Sequence, residues 1–198
     1  MQSFLKKADL GKELKMINKI LTTAALGIAL SFAGTIPLVA NSTTAPLSPE
    51  QELTKKIRRE LNTLPFLGIF DYLTFQLDGR KVIVSGYATR PVLASSAINV
   101  VKGVPGVEEV VNKIEVLPFS PNDDQLRIAV YRTVFSQGSL GRYTLGALPP
   151  VRIIVKNGNV TLHGVVMNEM DKNMFTVFAN QVSGVFQVTN RLQVESKS

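Results

Sequence analysis

The segment GVPGVEEVVNKIEV, residues 103–116, returns 78 positions later as QVSGVFQVTNRLQV, residues 181–194. The same offset relates the whole of residues 86–116 to residues 164–194, and glycine occupies the first position of both stretches. A register that holds over such a length indicates an internal duplication in which each copy is one structural unit. The chain therefore contains two copies of one module.

Both copies begin with the signals of a capped amphipathic helix. In the first copy Ser48 is a good N-cap, Pro49 suits the first turn and Gln51 completes a capping box. The Ser-Pro pair recurs at residues 120–121. Apolar residues then follow at every fourth position, which forms one stripe along a helix. This stripe consists of Leu53, Ile57 and Leu61 in the first copy and of Leu126, Val130 and Val134 in the second.

A β-hairpin is predicted after each of these helices. In the first copy an Asp-Gly pair ending at Gly79 separates two strand-like runs, residues 73–77 and 82–85. An Asn-Gly pair ending at Gly158 takes the same role in the second copy, with a shift of one residue. Such pairs are strong hairpin signals because both residues tolerate a left-handed backbone.

A second helix and a last strand complete each copy. The helix is predicted over Pro91–Lys102 and over Glu169–Gln181, and a Gly-Val pair leads into the strand. The element order is therefore αββαβ, and we expect an α+β fold of two tandem modules. Each module would be a three-stranded mixed sheet covered on one face by two helices. The modules are assigned to residues 46–118 and 119–198, and the second has about five extra residues in Ser136–Pro150.

Residues 1–45 are typical of an export segment. Ile20–Ala40 is an uncharged run of apolar and small residues, and five lysines precede it. This pattern is that of a secretory signal peptide, and a run of this length also suits an uncleaved membrane anchor. Translation from Met16 would give a shorter leader. Both interpretations place the remainder of the chain outside the cytoplasm, in the periplasm.

The composition limits the chemistry that the chain can carry. The net charge is +7, of which residues 1–40 contribute +3, so the modules have only a mild preference for anionic partners. Cysteine is absent, which excludes disulfides, thiolate metal sites, cysteine nucleophiles and a lipobox cysteine. The one histidine, His163, is predicted to be a structural residue at the end of a strand. No catalytic residue, metal site or cofactor is expected.

The ordered motifs of the two copies resemble those of the BON family, named for bacterial osmotically inducible and nodulation proteins. Each copy has a capped helix, an Asx-Gly hairpin, a glycine ending the second strand, and a V-x-G-V…N-x-φ-x-V ending. The residues that carry this pattern are Gly79, Gly86, Gly106 and Asn112 in the first copy and Gly158, Gly164, Gly184 and Asn190 in the second. The resemblance implies an exported envelope protein without catalytic residues. It also implies binding to anionic phospholipid or envelope partners and a role in envelope maintenance or stress response.

Two segments are candidates for contact with anionic phospholipid. The first is the solvent side of the first helix, where basic side chains would meet lipid headgroups. The second is the Ser136–Pro150 connection, where apolar side chains beside an arginine suit a membrane interface. The candidate residues are Lys55, Lys56, Arg58 and Arg59 in the helix and Leu140, Arg142, Tyr143, Leu145 and Leu148 in the connection. The structural alternatives are a solvated helix face and a connection that packs its leucines onto the adjacent module.

A protein-interaction or self-assembly module of an envelope complex is the alternative function. A sheet edge or the aromatic second helix would then be the docking surface. Nucleic acid is not an expected partner. Residues 103–106 do spell the GxxG of an RNA-binding loop, but they contain Val-Pro and precede a strand, and the second copy has glutamine at the first position. Neither function specifies an oligomeric state.

Overall fold

A computed structural model describes residues 47–146 and 148–195 of the chain. These residues belong to one compact unit, Ala45–Ser198. The predicted signal peptide or membrane anchor in residues 1–45 lies outside the described residues. Within the two described ranges, no helix combines the length and the apolar character that crossing a bilayer requires.

Both modules have the predicted αββαβ order. The first comprises α1 (Pro49–Asn62), β1 (Tyr72–Asp78), β2 (Lys81–Ala88), α2 (Pro91–Lys102) and β3 (Glu109–Val116). The second comprises α3 (Pro121–Phe135), a 3-10 helix (Gly141–Thr144), β4 (Val151–Lys156), β5 (Asn159–Val166), α4 (Glu169–Asn180) and β6 (Gln187–Val194). The α+β class and the tandem arrangement are confirmed, and the strands of the first hairpin are one to three residues longer at each end than predicted.

Helices α1, α3 and α4 begin at the predicted caps, whereas α2 begins without a side-chain cap. The Ser48 hydroxyl accepts a hydrogen bond from the Gln51 N–H at 3.3 Å, and the Gln51 side chain accepts one from the Ser48 N–H at 2.9 Å. Ser120 and Asn168 cap α3 and α4 through their side-chain oxygens. Because these bonds satisfy amides that lack a partner within the helix, they define where each helix starts.

Each module contains one mixed three-stranded sheet, as predicted. The strand orders are β1-β2-β3 and β4-β5-β6. In both sheets the central strand pairs antiparallel with the strand before it and parallel with the strand after the second helix. The parallel pairing requires a crossover connection, which α2 and α4 provide. Strands β1 and β4 are therefore equivalent edge strands.

The hairpin turns show that the one-residue shift predicted between the copies is wrong. Both turns have two loop residues, because Asp78 pairs with Lys81 and Lys156 pairs with Asn159. The offset of 78 thus holds through the hairpins without a gap. Glycine is instead the first loop residue in the first copy and the second loop residue in the second copy, where Asn157 also adopts a positive φ of 50°.

Each module buries its own hydrophobic core between its two helices and one face of its sheet. Prominent core residues are Ile57, Val84 and Leu93 in the first module and Val130, Leu162 and Phe175 in the second. Strand side chains alternate between the two faces of a sheet. The other face of each sheet therefore carries no helix of its own module.

Candidate functional site

The basic residues of α1 lie on the side of the helix that faces away from the core. Lys55, Lys56, Arg58 and Arg59 are exposed, whereas Ile57 among them is fully buried. At about 100° per residue, the four basic positions span an arc of about 160° centred opposite Ile57. The salt bridges formed among the described residues do not include these four side chains. The helix therefore presents a basic surface, interrupted by the exposed Glu52 and here called the α1 basic face.

Two apolar residues of the connection are buried, so the structure contradicts their predicted availability for membrane insertion. Leu140 is 0% exposed and Tyr143 is 4% exposed, and both belong to the core of the second module. Tyr143 packs edge-on against Phe175, with 5.5 Å between the ring centroids. The extra residues of the second copy therefore cover its own core, because burial of these large side chains removes apolar surface from water.

Arg142 is paired with a buried carboxylate instead of pointing freely to solvent. Its Nη2 atom donates to both carboxylate oxygens of Asp171, at 2.9 and 3.0 Å, and Asp171 is 2% exposed. The Tyr143 hydroxyl also donates to Asp171 and accepts a hydrogen bond from the Met167 N–H at 2.9 Å. Burial, and then the bond to Asp171, raises the pKa of Tyr143. This network fastens the 3-10 helix to the start of α4.

The two remaining residues of the connection differ in exposure. Leu145 is 74% exposed and keeps its predicted availability for contact with lipid. Leu148 is half-buried and lines a cleft together with α1 and β1. Within the predicted set, Leu145 is therefore the apolar side chain that is open to solvent.

The motif residues shared by the two copies make structural contacts within their modules. The Asn190 amide nitrogen donates to the Lys172 carbonyl at 2.8 Å and to the Thr176 hydroxyl at 2.7 Å, which ties β6 to α4. The Asn112 side chain accepts a hydrogen bond from the Ile114 N–H at 2.9 Å. The motif glycines with positive φ are Gly79, Gly86, Gly106, Gly158, Gly164 and Gly184.

The two modules pack together through the helix-free faces of their sheets. Lys156 and Glu115 form an ion pair across this interface. The Arg152 Nη1 atom donates to the Gly68 carbonyl at 2.9 Å. Ile154 points away from the core of its own module, yet it is only 3% exposed. The interface therefore combines apolar burial with bonds between residues that are distant in the chain.

His163 lies at the centre of this interface. Its ring stacks on Tyr72 with 4.0 Å between centroids and an interplanar angle of 16°, and the residue is 7% exposed. The buried Nε2 atom has no hydrogen-bond partner among the described residues. Burial, and secondarily the charge of Arg191, lowers the pKa of His163 to about 4. The imidazole is therefore neutral near pH 7, and the charged groups Lys113, Glu115 and Arg191 line the polar crevice beside it.

We expect His163 to make the free energy of unfolding fall between about pH 6.5 and about pH 4. In that range the unfolded chain binds a proton that the folded interface excludes, so stability decreases as the pH falls and levels off below the folded pKa. The effect is at most about 3 kcal/mol. Urea denaturation at pH 7 and pH 4 would measure it. His163→Phe keeps an aromatic ring beside Tyr72 but cannot titrate, so equal pH dependence in both proteins would contradict the prediction.

Two residues that organise the interface were missed by the sequence analysis. The buried Asp71 carboxylate accepts hydrogen bonds from the Thr89 N–H at 2.7 Å and the Thr89 hydroxyl at 2.8 Å, which holds the loop before β1. Phe70 in that loop packs against the core of the second module, edge-on to Tyr131. The sequence contained one signal for Asp71. At the offset of 78 the second copy has Pro149, so the two copies differ at this position.

The buried carboxylates of the described residues have structural partners. Asp123, like Asp71 and Asp171, accepts several hydrogen bonds, here from the Asn157 N–H at 2.8 Å and the Gly158 N–H at 2.9 Å. Across residues 47–146 and 148–195, no group of three or more histidine or acidic side chains is arranged to hold a metal ion. The candidate site therefore consists of the α1 basic face and the cleft beside it.

The fold and these surfaces define a class of duplicated αββαβ proteins whose two copies pack sheet to sheet. The family model described as BON domain matches residues 49–118 and residues 122–196, which together make up more than half of the chain. The chain therefore belongs to the BON domain family, as its motifs predicted.

Solved structures with some similarity come from the type III secretion system of Chlamydia trachomatis. The C-terminal domain of its structural protein CdsD is 12% identical, with a TM-score of 0.30, and the match covers 73% of this chain and 98% of that chain. A second structure of CdsD gives 12% identity and a TM-score of 0.28, with 71% and 91% covered. No curated protein matches the chain.

Proposed function

We propose that this protein is a non-catalytic binding protein of the cell envelope that associates with anionic phospholipid through the α1 basic face. The observation that carries the proposal is the exposure of four basic side chains on the helix face opposite the buried Ile57. Membership of the BON domain family supports a binding role. Export through residues 1–45 is part of the same proposal.

The proposed attraction is electrostatic and peripheral. Each basic residue held near an anionic membrane surface contributes about 1 kcal/mol, and the contribution falls off within a Debye length. The four side chains lie along slightly more than one turn of a single helix, so they can approach one flat surface together. Leu145 is the apolar residue that would enter the interface, whereas the buried Leu140 and Tyr143 are no longer part of the proposed contact.

Neutralising the α1 basic face is expected to weaken binding to anionic vesicles at least about tenfold. The variant is K55Q/K56Q/R58Q/R59Q in the full chain, and the loss follows from about 1 kcal/mol for each charge removed. Co-sedimentation with phosphatidylcholine vesicles, with and without phosphatidylglycerol, measures the affinity. Binding of the unchanged protein should also weaken as salt rises from about 0.1 M to about 1 M, because the Debye length falls from about 10 Å to about 3 Å.

A matched control removes the same net charge from scattered surface positions. Lys102, Lys113, Arg132 and Arg191 are exposed and lie on four different elements. Their joint replacement by glutamine should reduce vesicle binding much less than the α1 variant does. Equal losses in the two variants would mean that net charge alone drives binding, and binding that ignores phosphatidylglycerol and salt would exclude the proposal.

A further inference from the structure

A cleft of about 620 Å³ follows the outer edge of β1. Successive β1 residues 72–75 all line it. Because alternate side chains of a strand point to opposite faces, consecutive residues line one cleft only when the cleft runs along the backbone edge. One wall is a stripe of α1, and the other wall is residues 148–150 of the second module. The cleft is therefore a groove whose floor is the backbone of an edge strand.

The amide groups of every second β1 residue point into this groove. In a hairpin with a two-residue turn, the residues that flank the turn, here Asp78 and Lys81, form a hydrogen-bonded pair. Alternation along the strand then directs the N–H and C=O groups of Leu73, Phe75 and Leu77 away from β2. Among the described residues, no backbone hydrogen bond from these three amides is made to a segment outside the sheet.

The equivalent edge in the second module already binds a backbone carbonyl of the loop before β1, at a turn formed by residues 68–71. The Ile153 N–H of β4 donates to the Ile69 carbonyl at 2.9 Å, and the offset of 78 makes Ile153 the counterpart of Phe75. The residue after Ile69 is Phe70, which packs edge-on against Tyr131 of α3, with 6.3 Å between the ring centroids. In the second copy this edge therefore binds a backbone carbonyl, and the adjacent helix contacts the side chain of the following residue.

The first copy differs at the position that receives that side chain. The helical stripes align Ile57 with Val130, so the counterpart of Tyr131 is Arg58. Arg58 is exposed and lines the groove beside β1. Arg58 is cationic where the second copy has the aromatic Tyr131. It would therefore favour an acidic side chain at the position that corresponds to Phe70.

We propose that the β1 edge is a strand-addition site for an extended peptide segment of a partner protein, with an acidic residue placed against Arg58. The segment would add a fourth strand to the first sheet, as peptides do at other exposed sheet edges. Backbone bonds to Leu73, Phe75 and Leu77 would supply affinity, and Arg58 would supply selectivity. This site shares Arg58 with the α1 basic face, but binding of the peptide does not require binding of lipid.

Selection of a random heptapeptide library displayed on phage against the full chain tests the proposal. The enriched sequences are expected to share an acidic residue that follows an apolar one, by analogy with Ile69 and Phe70. Amide hydrogen exchange then reports the site directly. The chosen peptide should slow exchange at Leu73, Phe75 and Leu77 at least about tenfold, whereas the amides of Thr74 and Gln76, which already pair with β2, should change little.

Charge reversal at Arg58 tests the selectivity. Arg58→Glu should weaken the chosen peptide at least about tenfold, and a peptide with lysine in place of the acid should bind this variant better than it binds the unchanged protein. Arg132→Glu is the matched control, since Arg132 is exposed on α3 in the other module, and it should leave binding unchanged. The proposal is overturned if no peptide is enriched, if the β1 amides keep their exchange rates, or if Arg58→Glu binds as well as the unchanged chain.

Discussion

Replacing Gly164 with alanine is expected to abolish the folded second module, at a cost of more than about 4 kcal/mol in the free energy of unfolding. Gly164 has a φ of +123°, and an added Cβ atom would lie 1.9 Å from the Pro150 carbonyl oxygen. That oxygen already accepts a hydrogen bond from the Val165 N–H. The backbone of β4 would have to move, which would break the hairpin. Urea denaturation followed by circular dichroism measures the loss.

Gly138→Ala is the control for this prediction. An added Cβ atom at Gly138 meets no atom within 4 Å, and its φ lies outside the left-handed region. We expect its stability to remain within about 0.5 kcal/mol of that of the unchanged protein. Gly86→Ala should behave like Gly164→Ala, since its Cβ atom would lie 2.0 Å from the Tyr72 carbonyl oxygen at a φ of +127°. Comparable stability of Gly164→Ala and Gly138→Ala would show that the close approach does not limit the fold.

Replacing Asp171 with alanine is expected to lower the free energy of unfolding by about 3 kcal/mol or more. The buried carboxylate is the shared acceptor for Arg142, for the Tyr143 hydroxyl and for the Asn168 side chain. Without it, the hydroxyl of the buried Tyr143 loses its acceptor and the Arg142 guanidinium loses its counter-charge. Denaturation with urea at neutral pH measures the change.

A double-mutant cycle with Tyr143→Phe separates this network from a general loss of packing. If Asp171 acts through the tyrosine hydroxyl, the two substitutions together should cost less than the sum of their separate costs, by more than about 1 kcal/mol. The first module has no such carboxylate, because Leu93 occupies the position equivalent to Asp171. Strictly additive costs would show that the hydroxyl and the carboxylate act independently.

The candidate site could be predicted from the sequence only where it lies on a regular element. The spacing of Ile57 and Leu61 identified the buried side of α1, so the exposure of Lys55 and Arg59 on the opposite side followed from helical geometry. The connection after α3 has no such period. Its leucines and tyrosine looked equally suited to solvent, lipid or core, and only the position of α4 shows that Leu140 and Tyr143 are covered.

The sequence by itself determined the αββαβ order, the caps, the turns and the duplication, because each depends on residues close together in the chain or on a constant offset between the copies. Only the tertiary structure decided how the two modules meet. Their contacts join Gly68 with Arg152, Tyr72 with His163 and Glu115 with Lys156. Apart from Gly68, whose counterpart at the offset of 78 is also a glycine, these residues stand at positions where the copies differ, so neither periodicity nor repetition marks them. Each of these contacts requires both sheets to hold two segments that are distant in the chain face to face.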